Sequence, residues 1–234
     1  MLNAKFMDLT YLSHSCFLLE TSTHRLIIDP FLTGNPLAEV TADEIECDFI
    51  LVSHGHEDHL GDAVKISQRT GATIIANFEV AMICTQRGAK KVHPMNPGGG
   101  WDFPFGRVKM TVAHHSSSNQ TPDGFLYLGN PCGLLMVADG KTVYHAGDTA
   151  LFGDMKLIGE LNPIDVALLP IGDNFTMGPD DAAMAAKFLG AGLSIPMHYN
   201  TFDLIKVDPL RFVQRVEANG QRARVLEIGE SVTL

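Results

Sequence analysis

Cations, closely spaced cysteines and long apolar runs are all scarce in this chain, and each shortage closes off a class of function. Only 17 of the 234 residues are Lys or Arg against 27 Asp or Glu, for a net charge of −10. Binding to a phosphate backbone depends on clustered cations, so no nucleic-acid partner is expected. Cys16, Cys47, Cys84 and Cys132 stand far apart, with no CxxC pair and no secretory leader ahead of them. That usage fits reduced, buried thiols in the cytoplasm. Met1-Leu2-Asn3-Ala4-Lys5 lacks an apolar leader core, and no stretch reaches the ~18 apolar residues of a membrane span, so a soluble protein with no membrane partner is expected. There is no internal repeat and no low-complexity tract. With 45% hydrophobic residues the chain can bury a full core, and its length suits a single α/β domain over residues 1–234.

What the chain does have is Asp48-Phe49-Ile50-Leu51-Val52-Ser53-His54-Gly55-His56-Glu57-Asp58-His59-Leu60-Gly61-Asp62. Phe49 to Val52 are apolar on successive residues, as in a strand covered on both faces, so Ser53 and the residues after it are delivered to a strand end. His54 and His56 share one side of an extended chain, whereas Asp58 and His59 come after the turn and aim elsewhere. Two ligand pairs imply two adjacent metal ions, and imidazole with carboxylate suits zinc, iron or manganese. Gly55 and Gly61 are expected to give the crowded loop its backbone freedom.

Around this stretch the chain reads as alternating elements. Lys5 to Leu12, Cys16 to Thr21 and Arg25 to Ile28 form a strand meander, closed by Asp29-Pro30-Phe31. Residues 32–47 read as loop. Asp62 to Arg69 is helical and stops near Gly71, Thr73 to Ala76 is a strand, and Glu79 to Gln86 is a helix. Pro94, Pro97 and Gly98 to Gly100 break the pattern before Trp101. Arg107 to Ala113, Phe125 to Leu128, Leu134 to Ala138 and Thr142 to His145 form a second β-rich block. Leu151 to Leu161 is helical, Asp165 to Ile171 a buried strand, Pro179 to Leu189 a helix before Gly190, and Ser194 to Met197 a strand. Asp208-Pro209 opens a last helix, with Pro209, Phe212, Val213 and Val216 on one stripe. Ala223 to Ile228 and Ser231 to Leu234 close the chain. Two β-rich halves, each ending in α/β elements, are compatible with two packed sheets and outer helices.

Three further stretches put ligand-type residues at strand ends: Ala113-His114-His115-Ser116, His145-Ala146-Gly147-Asp148-Thr149 and Pro196-Met197-His198-Tyr199-Asn200. Val108, Met110 and Val112 put His114 in phase with an apolar face, which favours His115 as the ligand. His54-x-His56-x-Asp58-His59, followed in order by His115, Asp148 and His198, resembles the signature of the metallo-β-lactamase superfamily. Tyr11-Leu12-Ser13-His14-Ser15, Ile28-Asp29-Pro30-Phe31 and Ile171-Gly172-Asp173-Asn174-Phe175 narrow the resemblance to the metal-dependent hydrolase branch. That branch is similar to the ascorbate-6-phosphate lactonase and, more distantly, to the N-acylphosphatidylethanolamine phospholipase D.

The resemblance implies a four-layer αββα sandwich, two mixed sheets with helices on the outer faces. It implies one ion on His54, His56 and His115, a second on Asp58, His59 and His198, and Asp148 bridging them. The cofactors would be two divalent ions, zinc first, with manganese, iron or nickel as alternatives. Two such ions ~3.5–4 Å apart share a water and present it as hydroxide near neutral pH, which suits hydrolysis of a small ester, lactone or phosphodiester. Asp58 and Asp148 then carry catalytic duties besides ligation. Asn174, Thr176, Tyr199 and Asn200 follow strand ends and are candidates for substrate contact, while His14, Asp29, His114 and His145 are candidates for orienting the ligands. His24 and His93 read as surface or turn residues. The rival activity on the same scaffold is a single-iron thiol or persulfide dioxygenase. The partner is a small molecule, and a homo-oligomer is compatible with the sequence.

Overall fold

Period-two alternation along the strands sets the stacking of the layers. In the computed structural model, which describes residues 7–234, a first sheet begins with the antiparallel meander β1 (Asp8–Ser13), β2 (Cys16–Glu20) and β3 (Arg25–Ile28). Lys5 and Phe6 of the expected first strand lie outside the described residues. β4 (Phe49–Leu51), β5 (Thr73–Asn77) and β6 (Val92–Met95) extend the sheet in parallel from β3, and β15 (Ser231–Thr233) returns to pair with β1. The order is β15-β1-β2-β3-β4-β5-β6.

The second sheet contains β7 (Gly100–Phe103), β8 (Gly106–Val112), β11 (Cys132–Ala138), β12 (Lys141–His145), β13 (Val166–Pro170) and β14 (Leu193–Met197), in the order β14-β13-β12-β11-β8-β7. Its β12, β13 and β14 run parallel, and the remaining pairs are antiparallel. β9 (Ser118–Thr121) and β10 (Gly124–Tyr127) form a separate hairpin.

Leu26 and Ile28 of β3, Leu51 of β4, Leu134 and Met136 of β11 and Leu168 of β13 meet in one cluster between the sheets. The residues between them point outward. Ile27, Ile50 and Ile74 pack under α2 (Ala63–Thr70) and α3 (Phe78–Gln86), with Ile66 and Val80 of those helices in the same cluster. Leu135, Ala167 and Leu169 pack under α4 (Met155–Leu161), α5 (Pro179–Leu189) and α6 (Pro209–Ala218), which contribute Met155, Ala182, Ala186, Phe212 and Val216. Helices therefore cover both outer faces of a two-sheet sandwich, the αββα arrangement that the resemblance implies. No helix of the described residues is long and apolar enough to cross a membrane. All four cysteines are buried and unpaired.

Several elements differ from expectation. β6 forms through Pro94, where a break was expected, because it is the outer strand of its sheet and a missing N–H there leaves no neighbour unpaired. A short helix, α1 (Glu57–Leu60), folds inside the ligand loop. α4 starts at Met155, not Leu151, and of the segment 223–228 only Ala223 makes a bridge, to Ser194.

Candidate metal centre

Parallel strands of both sheets end along one edge of the sandwich, and the ligand-type residues come directly after those ends. Asp29 succeeds β3, His54 lies just past β4, and His56 precedes α1, which carries Asp58 and His59. From the second sheet come His115 after β8, Asp148 after β12 and His198 directly after β14. His54, His59, Asp148 and His198 are buried, and His56, Asp58 and His115 are half-buried.

These seven side chains converge. Asp148 Oδ2 lies 3.0 Å from His198 Nε2, 3.2 Å from His59 Nε2, 3.5 Å from His115 Nε2 and 4.0 Å from His54 Nε2. His54 Nε2 is 3.0 Å from His56 Nδ1, and Asp58 Oδ2 is 3.7 Å from His198 Nε2. Ligand atoms of His54, His56 and His115 lie within 4.8 Å of one another, as do those of His14, Asp58, His59 and His198. Buried polar atoms normally find partners, yet His59 Nε2, Asp148 Oδ1 and both ring nitrogens of His198 have no aligned hydrogen bond. Nitrogen and carboxylate oxygen turned inward without partners are the donor set of a divalent cation, so the residues present fit metal ions.

Asp29 sets the protonation of two of these rings. Its Oδ1 accepts the Ser53 backbone N–H at 2.7 Å, and its Oδ2 accepts the Ser53 hydroxyl at 2.6 Å and His59 Nδ1–H at 2.8 Å. With its proton given to Asp29, Ser53 Oγ can only accept from His54 Nδ1–H, 2.9 Å away. In the neutral form of each ring, Nε2 and not Nδ1 is therefore the nitrogen left without a proton, turned toward Asp148. One buried carboxylate thus orients both His54 and His59, the kind of support that metal-bound histidines would require.

Charge obeys the same geometry. Burial and the neighbouring His59 hold the His54 imidazole well below its ordinary pKa. Burial also works against protonated His198, but the Asp148 and Asp58 carboxylates together outweigh it and raise that imidazole to about 9. His59 is likewise raised against burial by Asp148, Asp58 and Asp29. Burial pushes the Asp148 carboxyl up, and His198 with His59 bring it well below the usual carboxylate range. For Asp58, burial is opposed by His59 and by the bond from His14, again with a lowered result. The cluster thus draws positive charge to its centre.

The loop glycines act differently from one another. Gly61 has φ +38° and would put a Cβ 2.4 Å from the Pro30 carbonyl oxygen. Gly55 keeps φ outside the left-handed region, and its need is steric: a Cβ there would sit 2.5 Å from Leu128 Cδ1.

A cavity of about 310 Å³ opens over the cluster, lined by His56, Asp58, His115, Ser116, Asp148, Phe175 and His198. The expected substrate contacts fall elsewhere. Asn174 is exposed outside this lining, and the Thr176 hydroxyl turns to the Met177 carbonyl. Tyr199 and Asn200 line a different cavity, and Asn200 Oδ1 accepts the Val207 N–H. Phe175 and Ser116 line the cavity instead. Asp173 and Asn174 adopt φ +60° and +28° in succession, and that turn presents Phe175 to the cavity mouth.

His114 also departs from expectation. It is exposed and packs edge-on against Phe152, because β8 ends at Val112, itself 45% exposed, and the strand phase stops there. His145 Nε2–H donates to the Ser15 carbonyl and its Nδ1 accepts the Gly147 N–H, so it fixes the turn before Asp148 without touching that carboxylate. His14 and Asp29 both bond ligand residues. His24 packs on Phe49 and Phe105, and His93 on Trp101 and Phe103, both away from the centre.

Residues 24–199 match the family model described as a beta-lactamase superfamily domain. The chain is 52% identical over 230 residues to a UPF0173 metal-dependent hydrolase of Shouchella clausii, covering 97% of this chain and 100% of the relative. It is 52% identical over 229 residues to one of Anoxybacillus flavithermus, with the same coverage. Among solved structures it is similar to Igni18, a metallo hydrolase from the hyperthermophilic archaeon Ignicoccus hospitalis, with a TM-score of 0.88, 41% identity and 98% of each chain covered. The chain belongs to the beta-lactamase superfamily and, within it, to the UPF0173 metal-dependent hydrolases.

Proposed function

We propose that the protein is a dinuclear hydrolase that cleaves a small ester, lactone or phosphodiester, with zinc the first candidate for both ions. The observation that carries this reading is the position of Asp148, whose Oδ2 lies within 4.0 Å of imidazole nitrogens from both ligand groups. His54, His56 and His115 would hold one ion and Asp58, His59 and His198 the other, with the Asp148 carboxylate between the two groups of side chains. Such ions supply Lewis acidity and an acidified water near neutral pH.

The chain's own groups do the rest. Asp29 keeps His54 and His59 in the tautomer that binds metal, Asp148 offsets the concentrated positive charge, and Phe175 gives an apolar wall at the mouth of the cavity. A volume of about 310 Å³ suits a small molecule. Buried, unpaired thiols support a reducing compartment such as the cytoplasm.

Elemental analysis of purified protein tests the metal count, and a panel of lactones, esters and phosphodiesters tests the reaction. Two ions per chain with turnover independent of oxygen, abolished in Asp58→Ala, is the expected result. One iron per chain with oxygen uptake would replace hydrolysis by the dioxygenase alternative.

A further inference from the structure

His14 lies outside the seven-residue ligand set yet is fully buried against it, its ring centroid 4.1 Å from that of His198 and 5.5 Å from that of His59. Its Nε2 stands 3.2 Å from Asp58 Oδ2, and its Nδ1 stands 2.8 Å from Thr201 Oγ1. An ionised carboxylate only accepts, so the nitrogen facing Asp58 carries the ring proton. With that proton on Nε2, Nδ1 is left to accept from the Thr201 hydroxyl 2.8 Å away, the shorter of that hydroxyl's two contacts. The result is a directed chain, Thr201 to His14 to Asp58.

The backbone supports a specific use for this residue. His14 sits in the turn between β1 and β2, where Ser13 has φ +106° and His14 φ +58°. Left-handed turn positions are ordinarily filled by Asn, Asp or Gly, and keeping Ser and His there is a strain that points to a job for the side chain. The His14 carbonyl also accepts the His198 N–H at 2.8 Å. One residue thus grips the segment after β14 through its backbone and the ligand loop through its ring. Asp58 needs that grip. It belongs to a four-residue helix and keeps 30% of its side chain exposed, and His198 Nε2 stands farther off than His14, at 3.7 Å.

We propose that His14 is a positioning residue: its Nε2–H, oriented by Thr201, fixes the Asp58 carboxylate in the orientation that holds the second ion. This rests on the dinuclear reading, and it adds the element that makes the second site depend on an intact β1–β2 turn. Asp58 bound without His14 swings toward solvent, and the second ion is held less tightly than the first.

The test uses full-length protein stripped with chelator and titrated with Zn²⁺ and Co²⁺, reading metal-to-chain ratio, stepwise affinity and the visible bands of each cobalt equivalent. In His14→Ala the first equivalent binds as in the wild type, while the second weakens about 10–100-fold, the usual effect of removing an outer partner of a ligand, and its cobalt bands shift. His14→Gln, whose amide N–H can replace the donor, restores the second equivalent. Wild-type binding of both ions by His14→Ala overturns the proposal. So does a His14→Gln variant as weak as His14→Ala, which would make the ring itself a ligand.

Should His14→Ala not fold, the wild-type protein still decides. A long-range proton–nitrogen correlation on metal-free protein must show His14 as the Nε2–H tautomer, and the Nδ1–H tautomer would refute the directed chain from Thr201 to Asp58. A wild type that binds a single ion refutes the dinuclear reading instead, and the tautomer measurement then stands by itself.

Discussion

Replacing Asp29 by Asn tests whether one buried carboxylate sets both halves of the centre. Asn is isosteric and tolerates the φ of +45° found at this position, so the backbone is not the variable. The carboxylate accepts three hydrogen bonds, from Ser53 N, Ser53 Oγ and His59 Nδ1. The amide cannot accept all three with its one oxygen placed as either carboxylate oxygen is now. With its oxygen toward the Ser53 backbone, its NH₂ meets His59 Nδ1–H, and His59 must move its proton to Nε2, the atom aimed at Asp148. With the amide reversed, NH₂ meets the Ser53 N–H, a buried donor with no alternative.

Either way a charge-assisted bond of about 1.5–3 kcal/mol is lost, and a buried donor left unpaired costs about 1–3 kcal/mol more. The expected destabilisation is about 2.5–6 kcal/mol out of a total that is typically about 5–15 kcal/mol. Urea unfolding of the metal-free variant measures the first effect, and stepwise zinc titration the second, where both equivalents should weaken about 10–100-fold. Ser53→Ala supplies the internal control: it cuts only the branch to His54 and should weaken the equivalent held by His54, His56 and His115. Unfolding within ~0.5 kcal/mol of wild type, together with unchanged zinc affinities, would refute this role for Asp29.

Metal affinity should depend on pH in a definite direction. His198 is raised from 6.5 to about 9 in the folded chain, so its contribution to metal-free stability is complete below pH 6.5 and is lost as pH rises through about 9. Asp58 and Asp148 are shifted down, and their contributions vanish only as pH falls below the ordinary carboxylate range. Metal-free protein should therefore lose stability between pH 6.5 and 9 while metal binding tightens and releases protons, which calorimetry in buffers of different ionisation enthalpy counts; a pH-independent affinity would be the contrary result. Gly61→Ala should lower the melting temperature sharply, because the new Cβ meets backbone at 2.4 Å, and an unchanged melting curve would contradict that placement. Phe175→Ala should raise KM for an apolar substrate with kcat little changed, and an unaltered KM would remove this side chain from substrate binding.

How much of the molecule is legible in its sequence depends on how local each determinant is. The His54 to His59 run is legible because its meaning is carried by adjacent spacing after an apolar strand. Asp148 and His198 are single residues at strand ends, each an ordinary turn residue by itself, and gain meaning only in company with the run. The layer arrangement is written in runs such as Arg25 to Ile28 and Leu134 to Ala138, whose alternate residues face different clusters. Pro94 hides β6, since nothing in the local sequence says that this strand has no outer neighbour. Phe175 is hidden for another reason: its direction depends on two successive left-handed residues, and side-chain chemistry before it gives only a generic turn. His114 defeats periodicity because the alternation of β8 does not extend past Val112, where the strand stops.

The donors are split across the seam of the sandwich, with His54, His56, Asp58 and His59 from the first sheet's loops and His115, Asp148 and His198 from the second's. Metal bound there would also be a rivet between the two leaves, and any motion that parts them would first have to release it. Chelation should loosen amide protons along the inner faces of both leaves, far beyond the loops that touch the metal.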